Sequence, residues 1–183
     1  MPPIRQRLAA VALVAFLCGP SAAQPITPYE PDPRPEAYAA DNDAALAPAG
    51  QIEIDGRRMA CASFPTLLDA RLSDFGGAYR GFIILNPRLF GDLSTPVKLW
   101  IYSHECAHQS VGKDEVKADC VALQRGRKEG WLNTAGLAQI CEFMQPARAD
   151  RSHFSGAQRC ELMQQCFAQK DPKRPASQTA KRP

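Results

Sequence analysis

The spacing of apolar and polar residues predicts a short β-rich part followed by a longer helical part, beginning near Gln51. Alternating apolar positions in QIEIDGRRM flank an Asp-Gly pair and predict a hairpin. The apolar run GFIIL is stopped by an Asn-Pro pair and predicts a strand. Between them, FPTLLDARLSDF is interpreted as a short helix that ends at Gly76.

Four helices are predicted next, because helix-capping residues alternate with glycine or proline stops. The first begins at Ser94-Thr95-Pro96 and carries VKLWIYSHECAHQSV to Gly112; the others begin at Asp114, at Asn133 or Thr134, and at Ser155. This order predicts an α+β domain in which a small antiparallel sheet or hairpin precedes a mostly helical part.

The N-terminus has the three-part pattern of a secretory signal peptide. Arg5 and Arg7 precede an apolar stretch, and small residues precede Gln24. We therefore expect a signal peptide at 1–23 and export to the periplasm or the medium. The apolar stretch is too short for a permanent membrane helix, and no later segment is long and apolar enough, so no stable membrane insertion is expected.

The segments 24–50 and 170–183 are both predicted to be disordered, which leaves a folded domain at 51–169. The first is rich in proline and cannot bury enough apolar surface to offset its ordering entropy. An alternative is a propeptide that covers the active site. The second is a basic, proline-bearing tail, typical of a solvated coil.

Cysteine number and charge narrow the class of protein. Six of the seven cysteines lie beyond the signal peptide, and an even number in an exported chain predicts up to three disulfides. A helical hairpin favours pairing of Cys141 with Cys160 or Cys166.

The net charge gives no case for a nucleic-acid partner. It is +3 for the whole chain and falls by two when Arg5 and Arg7 are removed with the signal peptide.

The stretch SHECAH on the first long helix carries the candidate chemistry. His104 and His108 lie one turn apart on the same helical face, so both imidazoles can bind one metal ion. Glu105 lies beside these ligands, where it can deprotonate a water molecule instead of binding the metal. The alternative is an ordinary helix whose two histidines bind no metal.

A catalytic zinc ion requires a third protein ligand and an open position. EVKAD on the next helix places Glu115 and Asp119 on one face, and Gly112 allows the chain to reverse between the helices. One of these carboxylates can bind zinc while the other accepts a hydrogen bond from the outer nitrogen of a ligand histidine. The residues alone leave both assignments open.

SHECAH followed by EVKAD resembles the gluzincin branch of the zinc metallopeptidases, in which His-Glu-x-x-His precedes a helix with Glu-x-x-x-Asp. The resemblance implies a zincin-like fold. It also implies His104, His108 and Glu115 as zinc ligands. Glu105 would be the general base and Asp119 the hydrogen-bond partner of His104. The later SHFSGAQR is similar to a His-Pro…Arg element of related peptidases, with Phe154 in place of the proline.

Peptide-bond hydrolysis also requires a hydrogen-bond donor for the oxyanion. His153, Tyr102 and Tyr79 are candidates, and we favour His153. The strand GFIIL is interpreted either as an edge that pairs with an extended peptide or as an ordinary buried strand.

These observations predict an exported zinc-dependent metallopeptidase that acts on peptides or unfolded proteins and has no nucleic-acid partner. Two alternatives stay open. One is a catalytically inactive, zinc-stabilised binding module, and the other is a disulfide-held interaction protein without a metal.

Overall fold

The computed structural model describes residues 32–149 and 154–169, and these residues confirm the predicted α+β class. The elements are α1 Pro35–Asn42, β1 Ala45–Ala47, β2 Ile52–Ile54, β3 Arg57–Met59, β4 Thr66–Leu68, β5 Gly76–Tyr79, β6 Phe82–Leu85, α2 Pro87–Phe90, α3 Thr95–Val111, α4 Glu115–Lys128, α5 Thr134–Met144 and α6 Gly156–Ala168. The signal peptide, the segment 24–31, His153 and the tail 170–183 lie outside the described residues, so the predictions made for them stay predictions.

The strands form one four-stranded sheet and one hairpin. The hairpin joins β2 and β3 as predicted, and Gly56 in its turn has a φ of 80°. The larger sheet has the order β1-β4-β6-β5. Of the predicted antiparallel sheet or hairpin, the hairpin is therefore confirmed, whereas the larger sheet is mixed, because β4 pairs parallel with β6 while the two outer pairs are antiparallel.

The segment FPTLLDARLSDF contains strand β4 and not the predicted helix. Leu67 and Leu68 pair with Ile84 and Leu85 of β6. Leu67 is completely buried in the sheet. This pairing joins distant parts of the chain, and it overrides the local preference on which the helix prediction depended.

Both faces of the four-stranded sheet are covered. Ile83 and Leu85 of β6 face the helical layer, whereas Phe82 and Ile84 face α1, so every residue of β6 is buried. Of the two interpretations of GFIIL, the ordinary buried strand is confirmed and the edge is not, since β6 lies between β4 and β5. The edge strand on this side of the described sheet is β5.

Helix α1 and strand β1 lie in the segment predicted to be disordered, and that prediction is wrong for residues 35–47. Pro35 occupies the first turn of α1, where proline does not interrupt helical hydrogen bonds. Tyr38 packs its ring 5.6 Å from the ring of Phe82. Its hydroxyl donates a hydrogen bond of 2.9 Å to Asp69. The folded part therefore begins before Gln51.

The four long helices α3 to α6 are confirmed. Helix α3 packs against α4, α5 and the strands β5 and β6, so it is buried on most sides and forms the centre of the domain. None of the helices in the described part of the chain has the length and apolar character needed to cross a membrane.

Three disulfides are present among the described residues, two between helices and one between α3 and Cys61, which follows β3. They are Cys61–Cys106, Cys120–Cys166 and Cys141–Cys160. The last is one of the two pairings that the helical hairpin favours. Three disulfides in a chain of this size are typical of proteins from oxidising compartments.

Candidate metal centre

Three side chains from α3 and α4 bring their ligand atoms together. His104 Nε2 lies 3.1 Å from His108 Nε2 and 3.1 Å from Glu115 Oε2. His108 Nε2 lies 3.6 Å from Glu115 Oε1. A group of this composition and spacing can hold a metal ion.

The turn between α3 and α4 explains how Glu115 reaches the two histidines within so short a stretch of chain. Gly112 has a φ of 63°, a conformation that favours glycine, and its N–H donates to the carbonyl of His108 at 3.0 Å. Asp114 then caps α4 by accepting a hydrogen bond of 3.0 Å from the Lys117 N–H. Glu115 is therefore the first residue of α4 and faces back toward α3.

The outer nitrogens of both histidines contact acceptors. His104 Nδ1 lies 2.8 Å from Asp119 Oδ1, and His108 Nδ1 lies 2.5 Å from the Gly112 carbonyl oxygen. Each Nδ1 therefore carries a hydrogen in the neutral ring, which leaves the Nε2 lone pairs directed toward Glu115. In that neutral form two lone pairs and a carboxylate converge, and either a proton on His104 Nε2 or a metal cation at this point is stabilised by them.

A buried arginine extends this network. Arg159 on α6 donates two hydrogen bonds to Asp119, of 2.9 Å from Nε and 2.7 Å from a terminal nitrogen. Burial raises the pKa of Asp119, but hydrogen bonds from His104 and Arg159 outweigh this and hold it below its usual value. The guanidinium carbon also lies 5.6 Å from the ring centroid of Trp100. Asp119 thus accepts hydrogen bonds from His104 and Arg159, and Glu115 is the carboxylate in the cluster.

Two pKa values reflect the concentration of negative charge. Burial lowers the pKa of His104, but hydrogen bonds to Asp119 and Glu115 overcome this and raise it to about 9. Burial raises the pKa of Glu105 to about 7. The positive charge of His104 lowers this pKa, and the negative charges of Glu115 and Asp74 raise it further. The cluster therefore attracts positive charge.

Glu105 lies between the cluster and the edge strand β5. Gly76, the first residue of β5, approaches it so closely that an added Cβ would meet Glu105 Cγ at 2.9 Å and Ile101 Cγ2 at 3.2 Å. Glycine is therefore required for this contact. The start of β5 therefore packs against the Glu105 side chain.

Two of the three candidate oxyanion donors contact other parts of the domain. Tyr102 is buried on another side of α3, with Arg125 5.9 Å from its ring centroid. Tyr79 packs against Tyr38 and Phe82 at the far end of β5. The third, His153, lies outside the described residues.

Several residues around the site escape prediction from the sequence. The helical spacing of Trp100 predicts a core residue only, yet its ring lies 5.7 Å from that of His104. Its place one turn before His104 is the signal that could have revealed this contact. Gly76 has the pattern of a helix stop, and Gln109 has no pattern that indicates a role. Each lies against a part of the chain that is distant in sequence, Gly76 against Glu105 and Gln109 against the turn between β5 and β6.

Comparisons of the chain with protein-family models, with curated proteins and with solved structures found no match. The gluzincin resemblance therefore stays an expectation from the SHECAH and EVKAD motifs. A functional proposal for this protein depends on the geometry of the site.

Proposed function

We propose that this protein is an exported zinc-dependent peptidase that hydrolyses peptides or unfolded proteins, with Glu105 as the general base. The observation that carries the proposal is the convergence of His104 Nε2, His108 Nε2 and the Glu115 carboxylate while both outer histidine nitrogens are held by acceptors. Such a donor set is typical of catalytic zinc sites with two histidines and one carboxylate.

The spacing of the ligand atoms supports zinc. Zinc bonds of about 2.0 to 2.1 Å in a tetrahedral site separate neighbouring ligand atoms by about 3.3 to 3.4 Å. The observed separations of 3.1, 3.1 and 3.6 Å bracket this value. A zinc ion bound there would supply polarisation of a carbonyl group and activation of a water molecule.

The accessibility of the cluster supports a catalytic role over a purely structural one. The side chains of His108 and Glu115 are 14% and 19% exposed, whereas the Asp119 side chain behind His104 is 4% exposed. The cluster is therefore accessible to solvent on the side of His108 and Glu115. A substrate can approach there, as a site with an open position requires.

Glu105 and β5 support peptide hydrolysis. The Glu105 carboxylate can accept a proton from a water molecule and later deliver it to the leaving amine. The neighbouring edge strand presents backbone groups with which an extended peptide can pair. This pairing places a peptide backbone beside Glu105 without requiring a particular side-chain sequence.

Export is supported by two independent features. The first 23 residues follow the signal-peptide pattern, and the six remaining cysteines form three disulfides.

Replacing Glu105 with glutamine tests the proposal directly. We expect Glu105→Gln to retain zinc and to lower cleavage of fluorescently labelled casein about 100-fold to 10,000-fold, because only the base is removed. Glu142→Gln is the matched control, since Glu142 is exposed on α5. Zinc-loaded wild type that cleaves neither casein nor a peptide mixture would contradict the peptidase and favour an inactive zinc-stabilised module.

Measurements of zinc content test which carboxylate, Glu115 or Asp119, is the metal ligand. Glu115→Ala should lose zinc after dialysis, whereas Asp119→Ala should keep it with an affinity about 10-fold to 100-fold weaker. The reverse ranking would assign the third ligand to Asp119. A wild-type protein that does not bind zinc on reconstitution would exclude a zinc enzyme.

A further inference from the structure

The side chain of Gln109 connects the histidine-bearing helix to the hairpin of β5 and β6. Gln109 directly follows His108 on α3. Its Oε1 accepts a hydrogen bond of 2.8 Å from the Gly81 N–H, and its Nε2 donates to the carbonyls of Tyr79 at 2.8 Å and Phe82 at 3.1 Å. The side-chain amide therefore accepts one hydrogen bond and donates two, and all three partners lie in or beside the turn between the two strands.

The edge strand β5 needs such support. It has four residues, two of them glycine, and its only strand partner in the described sheet is β6. Short glycine-rich edge strands are weakly held, because they offer few side chains for packing. The turn adds Gly81, which has a φ of 98°. Hydrogen bonds from Gln109 to this backbone reduce its freedom to move away from α3.

The two ends of β5 are thus anchored to α3 by different residues. At the start of the strand, Gly76 approaches Glu105 and Ile101 so closely that a Cβ would not fit between them. At the end, Gln109 holds the turn that follows Tyr79. Glu105 and Gln109 lie one turn apart on α3, so a single stretch of helix sets the position of the whole strand. Because the Gln109 amide directs its hydrogen bonds to the turn, its loss should leave the metal ligands in place.

We propose that Gln109 is a positioning residue that holds β5 beside Glu105 in the place where an extended peptide substrate pairs with it. The inference rests on the proposed peptidase function and deepens it, because it assigns to Gln109 the control of the strand with which the peptide pairs. Removal of the Gln109 amide should weaken peptide binding and leave the metal and the chemical step largely intact.

Steady-state kinetics on zinc-loaded protein test this role. We expect Gln109→Ala and Gln109→Met to raise KM for a peptide that wild type cleaves about tenfold while kcat changes less than about twofold. Gln109→Met keeps the volume and helix preference of the side chain and removes only its hydrogen bonds, so it remains informative if the alanine variant folds poorly. Gln124→Ala is the matched control, since Gln124 is exposed on α4. Zinc content should be equal in all four proteins.

A binding measurement that needs no turnover separates this inference from the peptidase proposal. In the Glu105→Gln background, Gln109→Met should weaken the affinity for the same peptide about tenfold, and the Gly81 amide should exchange its hydrogen faster. An unchanged KM and affinity in Gln109→Met, or a fall in kcat with KM unchanged, or a loss of zinc, would overturn the role of Gln109. Absence of cleavage by wild type would instead overturn the peptidase, while the binding arm, with labelled casein as the probe, still reports on Gln109.

Discussion

The helical layer of this protein is crosslinked by disulfides, whereas its four-stranded sheet is stabilised without them. Two disulfides join α6 to α4 and α5, and a third joins α3 to Cys61. The four strands of the sheet contain no cysteine. They depend on apolar packing against α1 and α3 and on hydrogen bonds such as that between Tyr38 and Asp69.

The difference separates the two tasks of the proposed enzyme. All three candidate metal ligands lie on α3 and α4, in the part with covalent connections. The edge strand proposed to bind the substrate belongs to the part without them. Changes in the helical layer should therefore affect both metal affinity and stability, whereas changes in the sheet should affect stability and leave metal affinity unchanged.

Removal of a helical disulfide should have the largest effect on stability. Cys120 and Cys166 are separated by 46 positions, and replacing both with serine should lower the free energy of unfolding by about 4 kcal/mol through restored loop entropy. The matched pair Cys141 and Cys160, separated by 19 positions, should cost about 3 kcal/mol. Urea unfolding of the metal-free proteins measures both losses, and the reverse order would contradict the loop argument.

Removal of Arg159 should be nearly as costly. Arg159→Ala leaves the buried carboxylate of Asp119 without its two charged hydrogen bonds, which should cost about 3 kcal/mol of unfolding free energy. It should also weaken metal binding about tenfold, because Asp119 orients His104. Arg88→Ala is the control at an exposed position. Wild-type metal affinity in Arg159→Ala would show that the two properties are not coupled.

A change in the sheet should have a smaller and more selective effect. Tyr38→Phe removes one hydrogen bond to Asp69, which is 3% exposed and keeps a bond of 2.8 Å from the Arg71 N–H. We expect a loss of about 1.5 kcal/mol of unfolding free energy. Zinc affinity by competition with a chelator should equal that of wild type. A weaker zinc affinity would indicate that the sheet and the helical layer do not respond independently.

The titration of Tyr38 should change the free energy of unfolding at high pH, and this effect should be the smallest. Burial and the hydrogen bond to Asp69 raise the pKa of Tyr38 from 10.0 to about 12. Because the pKa is higher in the folded state, the contribution of this group is complete below about pH 10 and is lost as the pH rises toward 12. Unfolding free energies of wild type and Tyr38→Phe should converge over that interval. A constant difference between them would contradict this assignment.

The candidate metal cluster was predictable because the sequence signals for it lie close together in the chain. Helical spacing places His104 and His108 on one face, and Gly112 permits the reversal that brings Glu115 to them. The same local signals predicted the hairpin and the four long helices. The sequence left Glu115 and Asp119 open as the third ligand, since both lie on the same face of α4. In the structure Glu115 lies near Nε2 of both histidines, whereas Asp119 contacts Nδ1 of His104.

The features that escaped prediction depend on distant pairing. Strand β4 exists because it pairs with β6, and α1 exists because Tyr38 and its neighbours cover Phe82 and Ile84. Neither partner is marked in the local pattern of the segment. Gln109 shows the same limit, because an amide on the surface of a helix has no local feature that indicates three hydrogen bonds to a distant turn.

The position of α1 limits how far the chain can be shortened by proteolysis. Leu67, Phe82 and Ile84 are buried beneath α1 and its flanking residues. A cut after Asn42 that released the helix would expose this aliphatic and aromatic surface to water, and exposed surfaces of that kind promote aggregation. We therefore expect the region around α1 to stay in the folded domain, and a maturation cleavage that preserves the sheet to fall before Pro35.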